Sequence, residues 1–95
     1  MPYFAVLYDY APGSDPLREH HRAAHRAYLN ETDHGTVAVV ATGPWSDGEP
    51  GALLVVSAPG PGELHAMLDR DPFRLHGAVA QRRIRSWTPV TGPWA

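Results

Sequence analysis

Residues 36–57 read TVAVVATGPWSDGEPGALLVVS, two valine-rich runs separated by glycine, proline, serine and aspartate. β-Branched residues suit the pleated, half-buried surface of a sheet. The segment from Ser46 to Gly51 carries the turn chemistry that joins antiparallel strands. The reading is a strand over Thr36–Thr42, an exit through Gly43, Pro44 and Trp45, a turn, and a further strand over Ala52–Ser57. A central hairpin in a chain of 95 residues restricts what can flank it.

Upstream, Tyr3–Tyr10 is aromatic and apolar and predicts a buried strand. The run APGSDP, residues 11–16, breaks it; Ser14 or Asp15 is placed to cap a helix, with Pro16 in the first turn. Leu17, Ala24 and Tyr28 recur at helical spacing, which predicts a helix over Pro16–Glu31 that stops before Gly35. Downstream, PGPG at residues 59–62 opens a second helix with Leu64, Met67 and Leu68 on one face, and Pro72 ends or redirects it. Val79–Trp87 predicts the fourth strand, and Thr88–Ala95 an irregular tail. The order β-α-β-β-α-β predicts an α+β, ferredoxin-like fold: a four-stranded antiparallel sheet with two helices on one face, in one domain over residues 1–95. The strands put apolar residues on both faces, as in Tyr3, Phe4, Val6 and Leu7, so the second face needs cover. A domain of this size buries only about two-thirds of its unfolded surface. Pairing through the sheet faces in a homodimer is the expected solution.

Composition narrows the function. Ten acidic against eight basic residues give a net charge of −2, the wrong sign for a nucleic-acid surface. Arg82, Arg83 and Arg85 cluster on a predicted strand, which divides them between two faces. The absence of cysteine excludes a disulfide scaffold and thiol chemistry and fits a reducing compartment. No apolar run approaches the roughly 20 residues of a membrane span, and the first residues lack a basic leader; a cytoplasmic, soluble protein is expected. The glycine-rich segments 43–48 and 59–62 lack the lysine of a phosphate loop, because the chain has no lysine. His21 and His25 are i, i+4 neighbours, too few for a zinc site. No metal or cofactor is expected.

Two residues stand out. His25 lies roughly 80° around the helix from the stripe of Leu17, Ala24 and Tyr28. That is the edge of the core, where an imidazole can exchange protons near neutral pH. Asp71 is in register with Leu64, Met67 and Leu68, yet it is an anion at the helix end where the dipole disfavours one. It is also placed to cap a short helix starting at Pro72. If the two meet, the carboxylate fixes the imidazole tautomer and the other ring nitrogen acts as a general base. No G-x-S-x-G elbow supplies a nucleophile.

Five stretches, MPYFAVLYD (1–9), RAAHRAYL (22–29), TGPW (42–45) before Asp47-Gly48, DPF (71–73) and IRSW (84–87), follow one another as in a known group. In these the chain resembles the YciI-like, or YCII-related domain, family of dimeric α/β-barrel proteins. Trp45 departs from the family, which more often has an aliphatic residue there. The resemblance implies a ferredoxin-like subunit, a homodimer, and a cleft in which His25 and Asp71 form a catalytic pair. Relatives act on small cyclic or aromatic metabolites by elimination or isomerisation, including removal of chloride from a hydroxylated ring. The expected function is therefore a small cofactor-free lyase or isomerase with His/Asp acid–base catalysis. The alternative is a non-catalytic dimer that binds a small molecule, or an accessory subunit. Tyr8, Trp45 and Phe73 are expected as walls for a flat ligand. Arg22 and Tyr28, one turn from His25, are further substrate-binding candidates, with Arg22 suited to an anion.

Overall fold

A computed structural model describes all 95 residues. Strand β1 (Tyr3–Tyr10) is followed by helix α1 (Asp15–Glu31), strands β2 (Ala38–Pro44) and β3 (Gly51–Ser57), helices α2 (Pro61–Leu68) and α3 (Pro72–Leu75), and strand β4 (Val79–Trp87). The sheet has the order β2-β3-β1-β4 and every pairing is antiparallel. This is the ferredoxin-like α+β arrangement that the central hairpin predicts.

Alternation in β1 sets the two faces. Phe4, Val6 and Tyr8 are buried and join Leu54 and Val56 of β3 in the core. Leu29 of α1, Leu64, Met67 and Leu68 of α2, and Phe73 of α3 close over that face. The opposite face carries Tyr3, Ala5 and Leu7 beside Val55 and Leu53, with Arg85 and Arg83 across β4. The tail beyond β4 has no helix or strand, and Trp94 turns back to lie 6.4 Å from both the Tyr3 and the Trp87 rings.

Three expectations change in detail. β2 starts at Ala38 rather than Thr36, because Gly35 turns with φ +68° and Val37, though buried, precedes the ladder. The segment after α2 forms a separate one-turn helix, α3, the short helix that Asp71 was placed to cap, so the element order gains a third helix. Ala24, expected in the buried stripe of α1, is exposed. Leu17 and Tyr28 do pack against the core, and the inward face extends from them through Arg18, His21, Arg22 and His25 to Leu29, which alone is fully buried. His25 therefore sits on the inward face rather than at its edge. The stems of arginine and the ring of histidine cover apolar surface as well as short apolar residues do, so a stripe chosen from apolar residues alone is rotated away from the true one.

A β-bulge in β2 decides what the sheet shows to α1. Val39 pairs with Val56 but Ala41 pairs with Val55, so two residues of β2 span one step of β3. The extra residue, Val40, resets the alternation. Thr42 and Pro44 then stand opposite Leu54 and Ala52, on the helix-covered side. Pro44 is tolerated because β2 is an edge strand.

Candidate active site

The α2–α3 junction places Asp71. Leu64, Met67 and Leu68 anchor α2 to the sheet, and Pro72 prevents the helix from continuing unbroken. Asp71 becomes the N-cap of α3 and accepts the Phe73 amide at 3.1 Å. The same oxygen, Oδ1, lies 2.6 Å from Nδ1 of His25, 46 residues earlier in the chain. The second oxygen, Oδ2, accepts the Tyr8 hydroxyl at 2.8 Å. Asp71 has no exposed surface, which makes these contacts obligatory: a buried carboxylate without donors is costly.

The donors come from three elements, Tyr8 on β1, His25 on α1 and the Phe73 amide on α3. Burial, then the negative charge of Asp71 and the bond to it, push the Tyr8 phenol far above its ordinary pKa, so it remains a donor throughout the working range. Burial also raises Tyr10, with Arg18 opposing the rise. The Phe73 ring lies parallel to the His25 ring at 3.8 Å and fixes its plane, while Tyr10 meets Phe73 edge-on at 5.7 Å. With Nδ1 engaged by a carboxylate, Nε2 is left without a protein partner.

His25 is 12 % exposed at its side chain and lines a cleft of about 440 Å³ between α1 and the sheet. Thr42, Gly43 and Pro44 of β2 and Ala52 and Leu54 of β3 form the sheet side. Arg18, Arg22, Arg26, Leu29 and Asn30 form the helix side, with Tyr10 and Phe73 also lining it. The volume is in the range of small-molecule sites.

Among the residues singled out from the sequence, His25, Asp71 and Phe73 come together, and Arg22 lines the same cleft. Tyr8 is fully buried and touches Asp71 rather than forming a wall. Tyr28 faces another groove beside His34 and donates its hydroxyl to the Met67 carbonyl at 2.6 Å. Trp45 also lies outside the cleft: its indole covers Gly51 and its amide closes the hairpin on the Gly51 carbonyl at 3.0 Å. It is displaced because the bulge brings Pro44, not its neighbour, to the cleft side. Sequence reading passed over Tyr10, Arg18, Arg26 and Thr42. The arginines had a visible signal, since Arg18, Arg22 and Arg26 recur every four residues on one helix face. Thr42 had none, because the bulge is not marked by glycine.

His21 does not join the site. It stacks on His76 at 3.8 Å and meets His20 edge-on, and no group of three or more potential ligands converges as a metal centre requires.

The family model for the YCII-related domain matches residues 1–88. The chain belongs to the YCII-related domain family. The solved structure of 5-chloro-2-hydroxyhydroquinone dehydrochlorinase from Burkholderia phenoliruptrix, in complex with 2,5-dihydroxybenzoquinone, is similar to it. The two share 26% identity and a TM-score of 0.76, over 90% of this chain and 93% of that one. No curated protein matches the chain. No helix of this YCII-related chain is long and apolar enough to cross a membrane.

Proposed function

We propose that this chain is a cofactor-independent lyase or isomerase acting on a cyclic or aromatic metabolite, with His25 as general acid–base and Asp71 as its orienting partner. The observation that carries the reading is the 2.6 Å contact between His25 Nδ1 and Asp71 Oδ1 at the wall of a cleft. Asp71 holds the proton of the neutral ring on Nδ1, so Nε2 is the acceptor. Nε2 takes a proton from a ring carbon next to a carbonyl (in a hydroquinone, the carbonyl of its diketo tautomer), and the C–H electron pair becomes a new double bond. In elimination a leaving group departs with its bonding pair. In isomerisation the imidazolium returns the proton at another carbon. The positive charge gained by the ring lies beside the Asp71 carboxylate throughout. Likeness to a dehydrochlorinase of a hydroxylated ring supports the elimination branch.

In the same reading two copies associate through the uncovered sheet face. Leu7 and Leu53, both half-buried, stand side by side there next to Ala5 and the buried Val55, with Trp94 close to the Tyr3 end. A Leu53→Glu change is then expected to give a monomer by light scattering.

The test of activity is turnover of 5-chloro-2-hydroxyhydroquinone and other halogenated or hydroxylated hydroquinones, followed by loss of chloride or change in ultraviolet absorbance. His25→Ala and Asp71→Asn are each expected to lower it by about 10²-fold or more. Turnover at the unsubstituted rate in both variants rules out the pair.

A further inference from the structure

The charged side chains of the cleft have one sign. Arg18, Arg22 and Arg26 line it, and no aspartate or glutamate does, although acids outnumber bases in the chain as a whole. Spaced four residues apart, they run along one side of α1 with a rise of about 6 Å from each to the next. They differ in how far their charge is already committed. Arg18 is held by Asp15 and by Ser14 Oγ at 3.1 Å, with its guanidinium over the Tyr10 ring. Its side chain is 13% exposed, so it serves as a fixed wall. Arg22 pairs at 2.8 Å with Glu19, whose own side chain is 78% exposed. That pair is solvated and gives way readily. Arg26 forms no ion pair, and it follows His25 directly in the chain.

From this arrangement we infer that the substrate is an organic anion whose delocalised oxyanion is held by Arg26 and Arg22 beside the His25 ring. The inference rests on the proposed function for the location of the chemistry, and it adds the substrate class. A guanidinium presents parallel N–H donors that match a planar pair of oxygens, with greater specificity than a point charge. Two kinds of ring supply such a pair. A ring carboxylate is one; a hydroxyquinone, whose ionised hydroxyl is conjugated to a carbonyl, is the other. Arginines on the helix wall also suit an elimination that releases a halide, because the departing anion is formed in a cationic cleft.

Binding, measured apart from turnover, tests this. Amide chemical shifts of the labelled protein are followed on titration with 2,5-dihydroxybenzoquinone and 2,5-dihydroxybenzoate. Their uncharged counterparts are 2,5-dimethoxybenzoquinone and 2,5-dihydroxybenzamide. At least one anion is expected to shift the amides of residues 18–30, 42 and 43, and to bind on the order of tenfold or more tightly than its uncharged counterpart. The anion that binds better distinguishes the ring oxyanion from the carboxylate. Arg26→Ala is expected to weaken the anion by about tenfold, Arg26→Glu by more, and Arg26→Lys by less. An unchanged thermal midpoint for the Arg26 variants shows that the fold is intact. Equal affinity for charged and uncharged partners overturns the inference, as does unchanged affinity in Arg26→Glu or no shift in the cleft with either anion. Turnover without charge preference would leave His25 and Asp71 in place and remove only the anion. Charge preference without turnover would do the reverse.

Discussion

The Tyr8 hydroxyl donates to Asp71 Oδ2 at 2.8 Å, from a position 63 residues earlier in the chain and wholly inside the core. The bond joins the central strand to the α2–α3 junction and leaves Oδ1 for His25 and the Phe73 amide. Tyr8 thus holds one edge of the carboxylate while His25 uses the other. Removing the hydroxyl in Tyr8→Phe leaves a buried oxygen short of a donor, which costs about 1–3 kcal/mol. Urea unfolding measures that loss. The looser carboxylate is expected to lower kcat several-fold while KM stays near its starting value, because Tyr8 does not line the cleft. A Tyr8→Phe protein with normal stability and normal kcat removes Tyr8 from this role.

Asp71 combines a structural and a chemical duty, and two substitutions separate them. Asparagine keeps the shape and an acceptor for the Phe73 amide but removes the negative charge that faces the imidazole. Asp71→Asn is expected to fold and to lose about 10²–10⁴-fold in kcat. Asp71→Ala orphans the buried Tyr8 hydroxyl and the α3 cap together, and is expected to cost about 3 kcal/mol or more. Thermal unfolding beside kinetics shows the split. Full kcat in Asp71→Asn, with stability lost only in Asp71→Ala, would mean that the residue is a cap and nothing else.

The hairpin at residues 36–57, the two flanking helices and the order of strands were legible because turn residues and periodicity are local properties. Asp71 was legible as an anion in register with an apolar face, and His25 as a histidine at the edge of a stripe, while their pairing came from the family resemblance. Three features were not. Tyr8 reads as one more aromatic in a buried strand, and only the fold shows what its hydroxyl meets. The inward face of α1 adds arginines and histidines to Leu17, Tyr28 and Leu29, so a stripe centred on Leu17, Ala24 and Tyr28 lies to one side of it. The bulge at Val40 moves Thr42 and Pro44 to the cleft and strands Trp45 on the hairpin, and nothing in a run of valines and alanines announces it.

Alkaline pH gives an independent check on the buried phenols. Tyr8, Tyr10 and Tyr28 all titrate above their ordinary value, with burial the largest cause in each. A group whose folded pKa is raised keeps its proton in the folded chain while the unfolded chain releases it. Its contribution is complete below the unfolded value of about 10 and is lost as pH rises above it, at up to about 1.4 kcal/mol per pH unit for the buried Tyr8 and by less for Tyr10 and Tyr28, whose exposure screens the effect. Urea midpoints are therefore expected to fall between pH 9 and pH 11. Tyr8→Phe, although less stable at pH 9, should fall less steeply. Parallel slopes for the two proteins would contradict the burial of the Tyr8 phenol.

Gly51 is required by proximity rather than by turn geometry. It faces Asp9 across the ladder, and a Cβ there would run into the Tyr8 carbonyl oxygen and, at 2.8 Å, the Trp45 indole nitrogen. The carbonyl belongs to the central strand and cannot move aside cheaply. Gly51→Ala is expected to cost about 2 kcal/mol, or roughly 8–16 °C in thermal midpoint for a chain of this size. Gly43→Ala is the control, because nothing lies within 4 Å of its Cβ position. A midpoint equal for the two variants would show that β1 and β3 have more room than this register allows.

Phe73 tests whether the plane of the imidazole matters apart from its partner. The ring is 3% exposed, parallel to His25 within 1°, and lies in the residue pair that begins α3. Phe73→Ala empties a core site and is expected to cost about 3–5 kcal/mol, so any loss of activity would be confounded with unfolding. Phe73→Leu keeps most of the volume, at about 1.5 kcal/mol, and removes the flat surface. The Asp71 contact still holds Nδ1, but rotation of the ring about that contact is no longer blocked by a stacked neighbour. Nε2 then spends less time aligned with a substrate proton. Phe73→Leu is expected to lower kcat on the order of tenfold with a native-like fold, a modest cost beside that of Asp71→Asn. Activity unchanged in Phe73→Leu would mean that the carboxylate alone orients the ring, and that Phe73 serves only to fill the core.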